Sequence, residues 1–111
     1  MKSVTPKWSE SGAVLVCEKC YRVRIPDETP EIAERIGDFE LREWLKARCK
    51  EAGLGKRVRV IGTTCQDICD VGHVTVTILP LGAGGAPETL TIDPLEERDA
   101  ILQRIMAKLG T

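Results

Sequence analysis

Three features of the sequence predict an α/β domain whose four-stranded mixed sheet and two main helices follow the order β-α-β-β-β-α. Alternating β-branched residues over 57–61 and 73–79 read as strands, and the continuous apolar run at 13–16 reads as a strand buried on both faces. A helix-period apolar pattern separates the runs at 13–16 and 57–61, and another closes the chain. Two cysteine pairs, Cys17-x2-Cys20 and Cys65-x3-Cys69, each follow a strand. If those two strands lie side by side and parallel, both pairs emerge at the same edge of the sheet, and four thiolates meet there.

In chain order, residues 1–12 contain Pro6, Trp8 and Gly12 without periodicity and read as a polar leader whose Trp8 packs on the domain, which itself spans 13–111. After Cys20, a short helical turn is expected with Thr29 as its cap, Pro30 as its first residue and Gly37 at its end. Residues 21–27, with Arg22, Arg24 and Pro26, do not read as a helix start. Asp38 is expected to cap a longer helix ending at Gly53, the crossover between the parallel strands. Its Leu41, Leu45, Cys49 and Ala52 share one face, which makes Cys49 a small buried hydrophobe before it is a ligand or reactive thiol. Residues 80–87, rich in glycine and proline, form a hairpin connection without the lysine of a phosphate loop. A fourth strand at 88–92 is expected antiparallel to the third. Asp93 then caps the last helix, with Pro94 at N1, Glu96 at N3 and a broad apolar face of Ala100, Ile101, Leu102, Ile105, Met106 and Leu109. The whole resembles a trimmed thioredoxin fold.

The 111 residues suffice for one domain that folds without disulfides. Sixteen basic against 17 acidic residues leave a charge of −1, which excludes bulk electrostatic binding to nucleic acid or membrane. No signal peptide or membrane span is visible, so a cytoplasmic location is expected, and paired cysteines in a reducing compartment point to metal, cluster or redox chemistry.

Four soft, anionic thiolates in two short turns suit a 2Fe-2S cluster, and Gly72 lets backbone N–H groups approach the sulfurs. Zinc is the nearest rival, although the gap from Cys20 to Cys65 exceeds that of a usual zinc ribbon and the domain has enough core to fold unaided. A thiol-disulfide oxidoreductase using Cys17-x2-Cys20 is the third reading; the missing helix start and the idle second pair count against it. His73, the sole histidine, excludes a Rieske centre and reads as a strand-start residue or a modulator of the cluster. With no serine outside the leader beside it, an enzyme in its own right is not expected. Glu18, Lys19, Arg22, Arg24, Asp67 and Asp70 form a mixed patch, read as solvated surface ahead of a docking face.

From Ala13 to Leu109 the chain resembles the thioredoxin-like 2Fe-2S ferredoxins, on Val14-Leu15-Val16-Cys17, on Cys65-x3-Cys69 followed by Asp70-Val71-Gly72, on the strand with Val74 and Val76 that ends in Leu79-Pro80, and on Asp93-Pro94. The resemblance implies that Cys17, Cys20, Cys65 and Cys69 ligate a 2Fe-2S cluster and that the protein carries single electrons to or from a redox partner, a reductase or an electron-accepting enzyme. It also implies a homodimer. Two positions depart from the family pattern: only Glu18 and Lys19 separate the first pair, and His73 follows Gly72 where proline is common. Cys49 is the other candidate for the second ligand; Cys20 is taken.

Overall fold

The computed structural model describes residues 1–82 and 85–110. A 3-10 turn at Lys7–Glu10 leaves Trp8 half-buried and leads into β1 (Gly12–Cys17). Then come α1 (Ile25–Glu28), α2 (Pro30–Ile36), α3 (Leu41–Glu51), β2 (Val58–Thr63), β3 (Val74–Pro80), β4 (Glu88–Ile92) and α4 (Arg98–Leu109). The sheet order is β2-β1-β3-β4, with β1 parallel to β2 and antiparallel to β3, and β4 antiparallel to β3. The expected four-stranded mixed sheet is therefore present; residues 83 and 84 of the expected 80–87 connection lie outside the described residues.

Register explains the core. Val14 stands opposite Val60 and Ile78, and Val16 opposite Gly62 and Val76, so one face gathers the β-branched residues of three strands. Leu41, Leu45 and Cys49 of α3 and Ile101, Ile105 and Leu109 of α4 belong to the same buried cluster, so both main helices cover that face. Full burial of a leucine such as Leu45 contributes about 1.5–3 kcal/mol. The opposite face carries Leu15, Ile61, Thr77 and Leu79, all half-buried.

Four expectations about helices are corrected. The chain is helical from residue 18 to 28, where no helix start was expected. The run widens into a π-helix at Cys20–Arg24, in which the Ile25 N–H reaches the Cys20 carbonyl. That wide turn passes the ladder across Pro26, which has no N–H to give. Thr29 and Pro30 do open α2 and Gly37 ends it at φ 56°, but the Thr29 hydroxyl turns back to the Ile25 carbonyl at 3.0 Å and makes no capping bond. Residues 38–40 remain outside α3, which starts at Leu41, because the Tyr21 hydroxyl donates to the Phe39 carbonyl and Glu40 stays extended. At its far end the Leu54 N–H reaches the Cys49 carbonyl and the Gly53 N–H the Lys50 carbonyl, a Schellman stop with Gly53 at φ 81°. Before α4, Asp93 does accept the N–H groups of Leu95 and Glu96 at 2.8 and 3.0 Å, but in a turn that precedes the helix. The side chain that reaches back to the Asp93 N–H is Glu97, at 2.8 Å, and not Glu96. Burial pushes the Asp93 carboxyl up, yet those two N–H groups and Arg35 hold it below its ordinary value overall.

Candidate metal centre

The parallel pair β1–β2 positions the site. Cys17 ends β1 directly opposite Thr63, the end of β2, so the next residues of both strands leave at one sheet edge. On one side these are Glu18, Lys19 and Cys20; on the other, Thr64, Cys65 and the loop to Cys69. All five cysteines are free thiols: Cys17, Cys20 and Cys49 are buried, Cys65 is half-buried and Cys69 is exposed.

Each N-terminal cysteine is tied to the neighbourhood of one C-terminal cysteine. The Cys17 thiol lies 3.5 Å from the carbonyl of Thr64, the residue before Cys65. Cys20 Sγ lies 3.9 Å from Thr75 Oγ1, and that hydroxyl donates at 2.7 Å to the carbonyl of Ile68, the residue before Cys69. The Cys65 and Cys69 sulfurs are 4.0 Å apart. Gln66 fastens the loop to the sheet: its amide nitrogen donates to the Leu15 carbonyl at 3.2 Å and to Thr63 Oγ1 at 2.9 Å, and its oxygen accepts from Thr77 Oγ1 at 2.6 Å.

Backbone N–H groups point at two of the sulfurs, as expected of a thiolate site. Asp67, in the left-handed region at φ 64°, donates to Cys65 Sγ at 3.3 Å, and Cys20 donates to Cys17 Sγ at 3.5 Å. Burial pushes the Cys17 thiol up against the opposing pull of the Cys20 and Gln66 N–H groups. The Cys69 thiol is also raised, by desolvation first and then by its hydrogen bond to Cys65 and the nearness of Cys65 and Cys20, with Arg24 opposing. Gly72, at φ 77°, turns the chain back toward β3 where a Cβ would meet Ile32 Cδ1 at 2.9 Å.

Cys49 sits in the core on α3, with its thiol raised by burial. His73 Nδ1 lies 2.8 Å from the Val71 carbonyl oxygen and 3.4 Å from Asp70 Oδ2, within its own loop. The charged patch is largely paired within itself and its neighbours: Glu18 meets Arg22 at 2.6 Å and Arg42 at 3.0 Å, and Arg24 meets Glu28 at 2.8 Å.

The absent helix start had counted against the dithiol reading, and that objection is removed. Cys17 precedes the 18–28 run and accepts the Cys20 N–H, as the cap of a helix does. Thr64, Gln66 and Thr75 are the site residues that sequence reasoning missed; Asp67 reads from the sequence only as part of the charged patch, not as an N–H donor to Cys65. Thr75 sits in the V-T-V-T alternation that otherwise marks a surface face, yet it is fully buried.

Among the described residues, no three histidine, cysteine, aspartate or glutamate side chains are gathered closely enough to hold a metal ion. Four soft donors leave one sheet edge with N–H groups on two of the sulfurs, which matches the ligand chemistry of a thiolate-held iron-sulfur group, although the four sulfurs are not drawn together around one point. No helix among the described residues is long and apolar enough to cross a membrane. No family model, curated protein or solved structure matches the chain.

Proposed function

We propose that this chain is a small thioredoxin-like electron carrier in which Cys17, Cys20, Cys65 and Cys69 hold a 2Fe-2S cluster. The observation that carries the reading is the register of Cys17 against Thr63 in a parallel pair, which delivers both cysteine turns to one sheet edge. When bound, such a group takes up and releases one electron at a time. The chain's own residues would hold it in the anionic-ligand state: Asp67 and Cys20 donate N–H groups to sulfur, and Thr75 and Gln66 fix the loop that carries the second pair. The mixed sheet with its antiparallel β3 supports the thioredoxin-like reading. A cytoplasmic setting, a redox protein as partner and a homodimer belong to the same proposal.

A second reading, a Cys17-Cys20 dithiol, is favoured by the helix that opens behind Cys17. Against it, Cys17 is 0% and Cys20 1% exposed, and burial makes the Cys17 thiol a poorer nucleophile. Iron and acid-labile sulfide analysis of anaerobically purified protein and of five single cysteine-to-serine variants tests both. Loss of iron in the variants at 17, 20, 65 and 69, with retention in Cys49→Ser, supports the carrier. Iron-free protein whose Cys17 and Cys20 cycle reversibly between thiol and disulfide supports the second reading.

A further inference from the structure

β2 is an edge strand, with β1 on one side and no strand on the other. Beside it runs a trough formed by two adjoining cavities of about 370 and 690 Å³ that share Lys50 and Gly55. The first is floored by Val58 and Val60 and bordered by Arg42, Lys46, Lys50 and Arg59, with no carboxylate in its lining. The second adds Lys7, Lys56 and Arg57 against a single acid, Glu10. In a chain of net charge −1, this concentration of cations on one edge is a local field of the opposite sign.

The cations are also spaced. Arg42, Lys46 and Lys50 follow one another at i+4 along α3, about 6 Å apart. Alternate side chains of an extended strand repeat at about 6.6 Å. Arg42 is already engaged by Glu18 and Glu43, whereas Lys46, Lys50 and Arg59 form no ion pair among the described residues. The unpaired main-chain edge of β2 lies alongside that row.

We propose that the trough docks an extended, acidic segment of a partner protein, with carboxylates at alternate positions meeting Lys46 and Lys50 and its backbone pairing with β2. An added strand gains main-chain hydrogen bonds from the edge, and alternate side chains supply the selectivity. A nucleic acid gains neither. The trough ends at Gly62, next to Thr63 and the cysteine turns, so on the electron-carrier reading the docked partner would lie beside the site.

The test is fluorescence anisotropy with a labelled ten-residue peptide of alternating glutamate and threonine at low ionic strength, where surface electrostatics are least screened. A peptide with its glutamates in one block, a ten-nucleotide oligo-thymidine and pyrophosphate serve as competitors. The expected result is binding of the alternating peptide in preference to all three. The Lys46→Glu/Lys50→Glu double variant should weaken it at least tenfold, and Arg35→Glu on α2, outside the trough, should leave it within twofold. In the unaltered chain, peptide-induced amide shifts should centre on residues 58–62, which tests the site without any substitution. Equal binding of the blocked peptide, tighter binding of the oligonucleotide or pyrophosphate, no binding at all, or shifts away from β2 would each overturn the proposal. Because the assay needs no iron in the protein, its failure is separable from failure of the carrier reading.

Discussion

Replacing Thr75 by valine removes the one side-chain hydrogen bond that links the Ile68 carbonyl, beside Cys69, to the core of the sheet. The hydroxyl is fully buried and donates to that carbonyl at 2.7 Å; its 3.9 Å contact with Cys20 Sγ is too long to add much. The net loss for such a bond is about 0.5–1.5 kcal/mol, and a carbonyl left dry would raise it to about 1–3. Ile68 is 47% exposed, so water reaches its neighbourhood and the dry penalty is largely avoided. The buried methyl that replaces the hydroxyl returns up to about 0.8 kcal/mol. The expected net destabilisation is therefore about 0.5 kcal/mol, a fall of about 2–4 °C in midpoint for a domain near this size. Urea unfolding should show a lower midpoint with an unchanged slope. The loop should loosen more than the domain does: thiol labelling of Cys20 under native conditions should accelerate, while Cys49, in the core on α3, stays protected. Thr75→Ser, which keeps the hydroxyl but gives up a buried methyl, should restore the slow Cys20 labelling without restoring the midpoint. A Thr75→Val protein with unchanged midpoint and unchanged Cys20 labelling would refute the view that this hydroxyl pins the second cysteine turn.

Other perturbations test the fold and the site separately. A Cβ at Gly12, where φ is +148°, would overlap the Leu79 carbonyl of the neighbouring strand, so Gly12→Ala should cost about 2–5 kcal/mol in chemical denaturation. Tyr21 is the sole tyrosine, and burial first, then Glu40, pushes its phenol from 10 to about 12. Its neutral form is thus favoured in the folded state, a contribution that is whole below pH 10 and is lost as pH rises from 10 to about 12. Phenolate absorbance of native protein should accordingly titrate near the upper value and that of denatured protein near the lower, and Tyr21→Phe should lose less stability across this window than the unaltered chain. Cys49→Ala should lose about 1 kcal/mol from the core with its bound iron unchanged, read by denaturation and metal analysis on one sample.

The sheet was legible because its signals are local and strong. The alternation in β2 and β3 and the apolar β1 located three strands, and the crossover rule then gave the parallel pairing of β1 with β2 and brought the two cysteine pairs to one edge. The helix boundaries were less legible where tertiary contacts decide them. Asp38 has the chemistry of a cap, yet the Tyr21 hydroxyl claims the Phe39 carbonyl and keeps residues 38–40 out of α3. Pro26 argued against a helix that a π turn in fact accommodates, while the i,i+4 pairs Glu18–Arg22 and Arg24–Glu28 were signals in its favour. The parts of the site that join its two halves, Thr75 and Gln66, have long-range partners such as Ile68, Leu15 and Thr77 and left no mark in local spacing.

The central claim is that the four edge cysteines hold an iron-sulfur group, and the most direct measurement is the electronic spectrum of protein purified without oxygen, taken before and after dithionite with iron, zinc and sulfide counted on the same sample. The account predicts a red-brown protein with about two iron and two sulfide per chain, bleached on reduction by about one electron. A colourless protein carrying zinc, or carrying no metal, that also fails to take up iron and sulfide on reconstitution would contradict it.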